Sequence, residues 1–113
     1  MGALAAGAVE LLPFPFSDLS QRKLRPALLL ADVGRGDWIA CQITSNPYSD
    51  ARAVEIADAD FDAGGLQRTS FARPGKLFTA HDTLFTTSPG HVREAKLESV
   101  RDAVVRLVRG GQH

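Results

Sequence analysis

The sequence has few of the residues from which covalent or metal-bound frameworks are built. Its single cysteine, Cys41, excludes an intrachain disulfide and a thiolate metal cluster. Because Cys41 lies in the apolar run W-I-A-C-Q-I, we expect it to be a small buried hydrophobe. An excess of charge is also absent, with 13 basic and 13 acidic residues. Any binding to nucleic acid must therefore come from local clusters of cations.

Long apolar runs are absent as well. The first eight residues are too few and carry no basic residue, so they do not match a secretion signal, and no run approaches the roughly 20 apolar residues of a membrane span. With 44% apolar and 23% charged residues, the composition is that of an ordinary globular domain. We expect one soluble, cytoplasmic domain over residues 1–113, with no membrane contact and with residues 1–6 as a frayed leader.

The common sequence motifs of catalysis are missing. The sequence contains no G-x-G-x-x-G, Walker loop, H-E-x-x-H or G-x-S-x-G. Its three histidines lack the spacing of paired metal ligands, and the acidic run over residues 58–62 lacks the glycine and final glutamate of a calcium loop. No metal and no cofactor is expected. His81, which follows an apolar run, is the one histidine that we consider for acid–base work, although we favour a surface loop position for it.

Short apolar runs separated by glycine and proline turns are what the sequence does contain. They predict strands over residues 8–12, 27–33, 38–44, 53–56, 69–72, 76–80 and 83–86. From residue 94 to 109 the apolar residues recur at steps of three and four, which predicts an amphipathic helix that ends at Gly110-Gly111. A mainly β fold with a C-terminal helix follows, built as a small twisted barrel or rolled sheet.

The segment from residue 12 to 30 joins two apolar runs through a polar loop. Pro26 offers no N–H to a ladder, so the second strand has to begin beside it, and Arg25 stands at that entrance. A guanidinium held at the start of a rigid strand suits an anionic ligand. Phe14 and Phe16 share a face of the extended stem; we favour core packing for them over stacking on RNA bases.

This segment also carries a family resemblance. Its pattern G-x-V-x-x-x-x-F-P-F-S-D-x-x-x-x-K-x-R-P-A-L-x-L, which starts at Gly7, is similar to the start of the MazF/PemK toxins. Ile43-Thr44-Ser45 and the segments 65–70 and 70–79 resemble later parts of that family. The resemblance implies a small SH3-like β-barrel of the MazF/PemK/CcdB type that works as a homodimer. It further implies metal-independent cleavage of single-stranded RNA and restraint by a cognate antitoxin protein.

The resemblance also implies site residues. The family's catalytic arginine and threonine match Arg25 and Thr44, and a further catalytic arginine matches Arg73. Residues expected to contact RNA are Ser17, Asp18, Lys23, Ser45, Ser70, Lys76 and His81. Some family members place an aspartate two residues after the second arginine, where this chain has Gly75.

Cleavage by the neighbouring 2′-OH needs a proton acceptor, charge neutralisation on the phosphate and protonation of the 5′ oxygen. The arginines can fork onto phosphate oxygens, but an arginine is a poor base. The proton acceptor stays open among Asp18, Asp82, His81 and the phosphate itself. Two other functions are compatible with the sequence: a nucleic-acid-binding barrel that has lost catalysis, for which Gly75 is the best support, and a CcdB-like toxin that inhibits gyrase.

Overall fold

The computed structural model describes residues 4–13 and 23–111 of the chain. In these ranges seven strands precede one helix. Their bounds are β1 Ala8–Pro13, β2 Leu24–Gly34, β3 Asp37–Thr44, β4 Val54–Ile56, β5 Phe61–Gly64, β6 Ser70–His81, β7 Thr87–Val92 and α1 Glu94–Val108. The arrangement confirms the mainly β fold with a C-terminal helix that the spacing of apolar residues predicts.

The strands form one antiparallel sheet in the order β4-β6-β3-β2-β1-β7-β5. At its centre lies the hairpin of β2 and β3, whose turn places Gly34 and Gly36 at φ angles of 104° and 84°. Glycine adopts such angles without the steric cost that a side chain would add, so the two glycines allow the tight reversal that the sequence predicts. The sheet curls, as expected for a small barrel.

Two apolar clusters cover opposite faces of the central strands. On one face, Leu28, Cys41 and Ile43 pack beneath Leu97 and Val100 of α1. The opposite face carries a second cluster that includes Leu12, Ala27, Leu29, Trp38 and Ala40. Side chains alternate between faces along a strand, so a strand covered on both faces reads as an uninterrupted apolar run. This double coverage accounts for the run over residues 27–31.

The strand predictions for residues 69–72 and 76–80 are wrong in one respect, because β6 is a single strand from Ser70 to His81. Its pairing with β3 shifts register between Cys41 and Ile43, opposite the intervening Arg73-Pro74-Gly75. A proline is tolerated at such an irregularity because its missing N–H has no ladder partner there. The local sequence signals a break, but β3 pairs with β6 both before and after it, so the strand continues.

The prediction of a strand over residues 83–86 is also wrong. Asp82–Leu84 forms a short 3-10 turn, and the strand follows at Thr87–Val92, where Pro89 suggested a loop. The pairing of β7 with β1 is irregular at this point, which makes room for the proline. On its other side β7 pairs with Phe61–Gly64, a strand that the acidic and glycine-rich composition did not predict.

The described part of the predicted leader, residues 4–6, is packed against the sheet. Leu4 contacts the second apolar cluster and Ala6 contacts the first. The N–H of Gly7 donates a hydrogen bond to the Leu29 carbonyl at 2.8 Å, which ties this segment to β2. In the ranges that the structure describes, no helix is both long and apolar enough to cross a membrane.

Candidate nucleic-acid interface

A cavity of about 630 Å³ opens where β2 begins and β3 ends. Its walls come from these strand ends and from the loops β3–β4 and β5–β6. Five of the residues that sequence analysis assigned to the site line it, namely Lys23, Arg25, Thr44, Ser45 and Ser70. Residues that lie about 20 to 45 positions apart in the sequence are thus brought to one place by the sheet.

Arg25 and Thr44 meet because of the register between β2 and β3. The ladder pairs Ala27 with Gln42, and the same register continued by two residues brings Arg25 opposite Thr44. On its other side Arg25 pairs with the buried Leu12 of β1. Paired residues share a face of the sheet. The base of the Arg25 side chain is therefore held between two strands before any ligand arrives.

Thr44 organises the loop that follows β3. Its Oγ1 accepts a hydrogen bond from the N–H of Asn46 at 3.1 Å and donates one to the Asn46 carbonyl at 3.0 Å. The N–H of Tyr48 in turn donates to Asn46 Oδ1 at 3.0 Å. A hydroxyl has one hydrogen to donate, so Thr44 can donate to a bound anion by rotating away from the Asn46 carbonyl, while it still accepts from the Asn46 N–H.

The cavity is basic. Lys23, Arg25 and Arg68 line it, and no acidic or histidine side chain from residues 4–13 and 23–111 does. Ser70, which is buried, donates its hydroxyl to the Arg68 carbonyl at 2.9 Å and so holds the backbone that carries this arginine. Three cations with no carboxylate among the described lining residues favour an anionic ligand with several charges, and the hydroxyls and amides between them can donate to its oxygens.

Four polar residues that line the cavity were not singled out from the sequence: Asn46, Tyr48, Gln67 and Arg68. Asn46 and Tyr48 lie within three residues after Ile43-Thr44-Ser45, and the other two lie between Leu66 and Ser70. Both segments were recognised by resemblance alone, which weighted the matched positions and ignored the polar residues next to them. Their position next to the matched residues was the available signal that they belong to the site.

Arg73 does not line the cavity. Its Nε donates to Asp50 Oδ2 at 2.9 Å, and both side chains are largely buried, with exposed fractions of 19% and 16%. Burial alone would raise the pKa of the Asp50 carboxyl, but hydrogen bonds from Arg73 and from the Arg52 N–H, together with both arginine charges, hold that pKa below its usual value. Arg73 approaches the cavity only through Tyr48, whose ring centroid lies 5.9 Å from its guanidinium carbon.

Gly75 lies on the helix side of the sheet. A Cβ built at this position would be 3.8 Å from Leu107 Cδ2 of α1. The Cβ of an acidic side chain at position 75 would therefore lie beside the helix and not beside the cavity. The absence of the family's aspartate leaves the cavity lining itself unchanged.

His81 is at the other end of the sheet. It pairs with Asp37 beside the β2–β3 turn, where its Nε2 lies 3.2 Å from the Arg35 carbonyl and its Nδ1 lies 3.0 Å from Thr83 Oγ1. The 11 residues of β2 separate that turn from the cavity, a distance of about 30 Å in an extended strand. His81 and the adjacent Asp82 therefore cannot accept a proton in the cavity.

The remaining predicted residues divide into two groups. Lys76, in β6, is not among the residues that line the cavity. Ser17 and Asp18, together with Phe14 and Phe16, lie outside the described residues.

Two buried titratable groups lie outside the cavity. Cys41 is fully buried, as expected, and burial raises the pKa of its thiol to about 12. Its Sγ donates a hydrogen bond to the Arg73 carbonyl at 3.0 Å. Glu10 is 2% exposed and accepts a hydrogen bond from the Ser88 hydroxyl. Burial raises the pKa of the Glu10 carboxyl, and the Ser88 hydrogen bond offsets only part of that increase.

Comparisons with known proteins identify the fold. The sequence matches no protein-family model and no curated protein. Among solved structures, the chain is similar to an endoribonuclease in complex with its cognate antitoxin from a mycobacterial species, at a TM-score of 0.70 and 15% identity over 98% of this chain and 100% of the other. It is equally similar to MazE–MazF from Deinococcus radiodurans, at 0.70 and 17% identity over 99% and 100%. The toxin MazF-mt6 of Mycobacterium tuberculosis matches at 0.69 and 15% identity over 94% and 99%. This chain has the MazF fold over nearly its whole length, as the motif resemblance predicts.

Proposed function

We propose that this chain, which has the fold of MazF toxins, is the toxin of a toxin–antitoxin pair and cleaves single-stranded RNA without a metal ion. The observation that carries the proposal is the meeting of Arg25 and Thr44 at one edge of a basic cavity, in the places where the MazF motif has its catalytic pair. The solved structures with this fold include proteins named as endoribonucleases.

In the proposed reaction the 2′ oxygen of one nucleotide attacks the adjacent phosphorus, and the bond from phosphorus to the 5′ oxygen breaks. Arg25 neutralises the charge that develops on the non-bridging oxygens, and its two N–H groups can bind them as a fork. Thr44 donates its hydroxyl to the same oxygens. Lys23 and Arg68 hold neighbouring phosphates, which fixes the strand across the cavity.

Of the four candidate acceptors for the proton of the 2′-OH, two remain. Neither a carboxylate nor an imidazole from the described ranges lines the cavity, which removes His81 and Asp82 from the candidates. What remains is Asp18, which precedes β2 in the sequence, and a non-bridging phosphate oxygen whose proton would later reach the 5′ oxygen. Transfer through the phosphate needs no protein base, so the reaction does not depend on an acid at position 75.

The same cavity suits an antitoxin. One structure with this fold is named as a complex with its cognate antitoxin, and two others are named as MazE–MazF. A segment rich in Asp and Glu can place carboxylates where RNA phosphates bind, next to Lys23, Arg25 and Arg68, and so exclude RNA. We also propose a homodimer in the cytoplasm, in which a symmetric pair could extend the RNA groove across its interface.

A second function has one observation in its favour. Because no carboxylate or imidazole lines the part of the cavity that the structure describes, the chain could bind single-stranded nucleic acid without cleaving it. Such a module needs the cations and an aromatic side chain but no proton acceptor.

One experiment separates these functions. The purified chain is incubated with a long unstructured RNA in excess EDTA, and the product ends are mapped. Cleavage that leaves a 2′,3′-cyclic phosphate and a 5′-hydroxyl supports the nuclease, whereas tight binding without cleavage supports the binding module. If the chain neither binds nor cleaves RNA, both proposals fail and a protein target such as gyrase becomes the function to test.

A further inference from the structure

Tyr48 is the one aromatic side chain among the described residues that line the cavity. It is the only tyrosine of the chain, it lines the basic cavity, and it is 68% exposed. An exposed aromatic side chain gains little for stability, because its apolar surface stays in contact with water. The position of the ring in the wall of a cavity that three cations also line, and not its burial, is therefore the feature that requires an explanation.

The backbone at Tyr48 is strained. Its φ is 55°, and that of the following Ser49 is 65°, so two consecutive non-glycine residues adopt the left-handed conformation. An L side chain adopts this conformation at a cost, and glycine or asparagine would fit the turn better. The turn is held by the hydrogen bond from the Tyr48 N–H to Asn46 and by one from the Asp50 N–H to the Pro47 carbonyl. A tyrosine at this position is unfavourable for the turn, which points to a use for its ring.

The ring is supported from the protein side. The guanidinium carbon of Arg73 lies 5.9 Å from its centroid, within the range of a cation–π interaction. Arg73 is itself fixed by the ion pair with Asp50 at 2.9 Å, and that pair is largely buried. A series of contacts thus runs from the partly buried Asp50 carboxylate through the Arg73 guanidinium to the exposed Tyr48 ring on the cavity wall.

We propose that Tyr48 is a stacking platform for a nucleobase of the RNA whose phosphate lies between Arg25 and Thr44, and that Asp50 and Arg73 are positioning residues for its ring. The inference rests on the proposed RNA-binding function. Every base has a π face, so stacking adds affinity without reading the sequence, while the cations hold the phosphates. Stacking at a defined position also places the neighbouring ribose, and hence its 2′-OH, relative to Arg25.

Two substitutions at position 48 isolate the ring. Tyr48→Phe keeps the ring and removes the hydroxyl, whereas Tyr48→Asn removes the ring and suits the left-handed backbone, so it should fold at least as well as the wild type. Binding is measured with a single-stranded DNA of about 10 nucleotides, which lacks the 2′-OH and cannot be cleaved, and with an abasic strand of the same length and charge. RNA cleavage is followed separately.

We expect Tyr48→Phe to bind within about twofold of the wild type and Tyr48→Asn to lose about 10- to 100-fold in affinity for the strand with bases. The abasic strand should bind the wild type and Tyr48→Asn equally. An equal loss in both variants would assign the function to the hydroxyl and overturn the stacking inference, as would unchanged affinity in Tyr48→Asn. Failure of the wild type to bind any strand would remove the proposed function, and this inference with it; binding without cleavage would remove only the nuclease.

Asp50→Asn tests the positioning pair. It removes the charge that fixes Arg73 without altering the ring or the cations of the cavity. We expect KM for RNA to rise about three- to tenfold with kcat nearly unchanged, and the preference for the strand with bases over the abasic strand to shrink. A purely structural role of the pair would lower the melting temperature but leave that preference intact, and this result would contradict the assignment.

Discussion

Replacing Arg25 with alanine is expected to lower kcat/KM for RNA cleavage by about 10²–10³, the usual loss when one pre-organised donor to a developing oxyanion is removed. The structure makes this donor pre-organised, because Arg25 pairs with the buried Leu12 of β1 and lines the same cavity as Thr44. Since Arg25 forms no ion pair with a residue that the structure describes, its loss should change the free energy of unfolding by only about 0.5–1 kcal/mol.

The assay is single-turnover cleavage of an end-labelled RNA with EDTA present, alongside thermal unfolding of each variant. Arg25→Lys is the matched control: it keeps the charge and loses the planar fork, so we expect an intermediate loss of roughly tenfold or more. Thr44→Ala should also lose about 10²-fold, while Thr44→Ser keeps the hydroxyl and should remain near the wild type. Because Thr44→Ala also removes the hydrogen bonds to Asn46, its stability should fall by about 1 kcal/mol.

Full activity of Arg25→Ala in a folded protein would refute the assignment of the site to this cavity. Activity losses that follow the melting temperature across all variants would indicate that the substitutions act through folding and not through the phosphate. Products that carry a 5′-phosphate would contradict attack by the 2′-OH, whatever the mutants do.

Three further predictions concern the charges outside the cavity. Because the pKa of Asp50 is below its usual value in the folded state, its pair with Arg73 stabilises the protein at neutral pH. In urea unfolding, the wild type should have a higher free energy of unfolding than Asp50→Asn at pH 7, and this difference should vanish as the pH falls below about 4. The pKa of Glu10 is raised, so its charged form destabilises the fold; Glu10→Gln should be more stable than the wild type at pH 8, with the gain lost near pH 4, and an advantage that stays constant with pH would contradict this. His81→Ala should cleave RNA within about twofold of the wild type, since His81 lies beside the β2–β3 turn, at the end of the sheet that is far from the cavity. A loss comparable to that of Arg25→Ala would show that His81 does act in the site.

Local features of the sequence were sufficient for much of the fold. The recurrence of apolar residues at three- and four-residue steps placed α1 to within a residue at its end, because one helical face must cover the sheet whatever the rest of the chain does. Gly34 and Gly36 marked the central hairpin, since only a turn with positive φ connects strands so tightly. Pro26 marked only where β2 begins to pair with β3, at Ala27; the ladder with β1 continues through Pro26 and Arg25 to Leu24, so the predicted strand start was two to three residues late.

The site itself depends on contacts between distant segments. Arg25 and Thr44 face each other only through the register of β2 and β3, which the packing on both faces of the sheet decides. Arg73 has the residue type and spacing of a catalytic arginine, yet the partly buried Asp50, more than 20 positions away, binds it. The distance of His81 from the cavity likewise has no local signal. A residue type and its neighbours in sequence determine what a side chain can do, and the tertiary structure decides which partner, ion pair or ligand it meets.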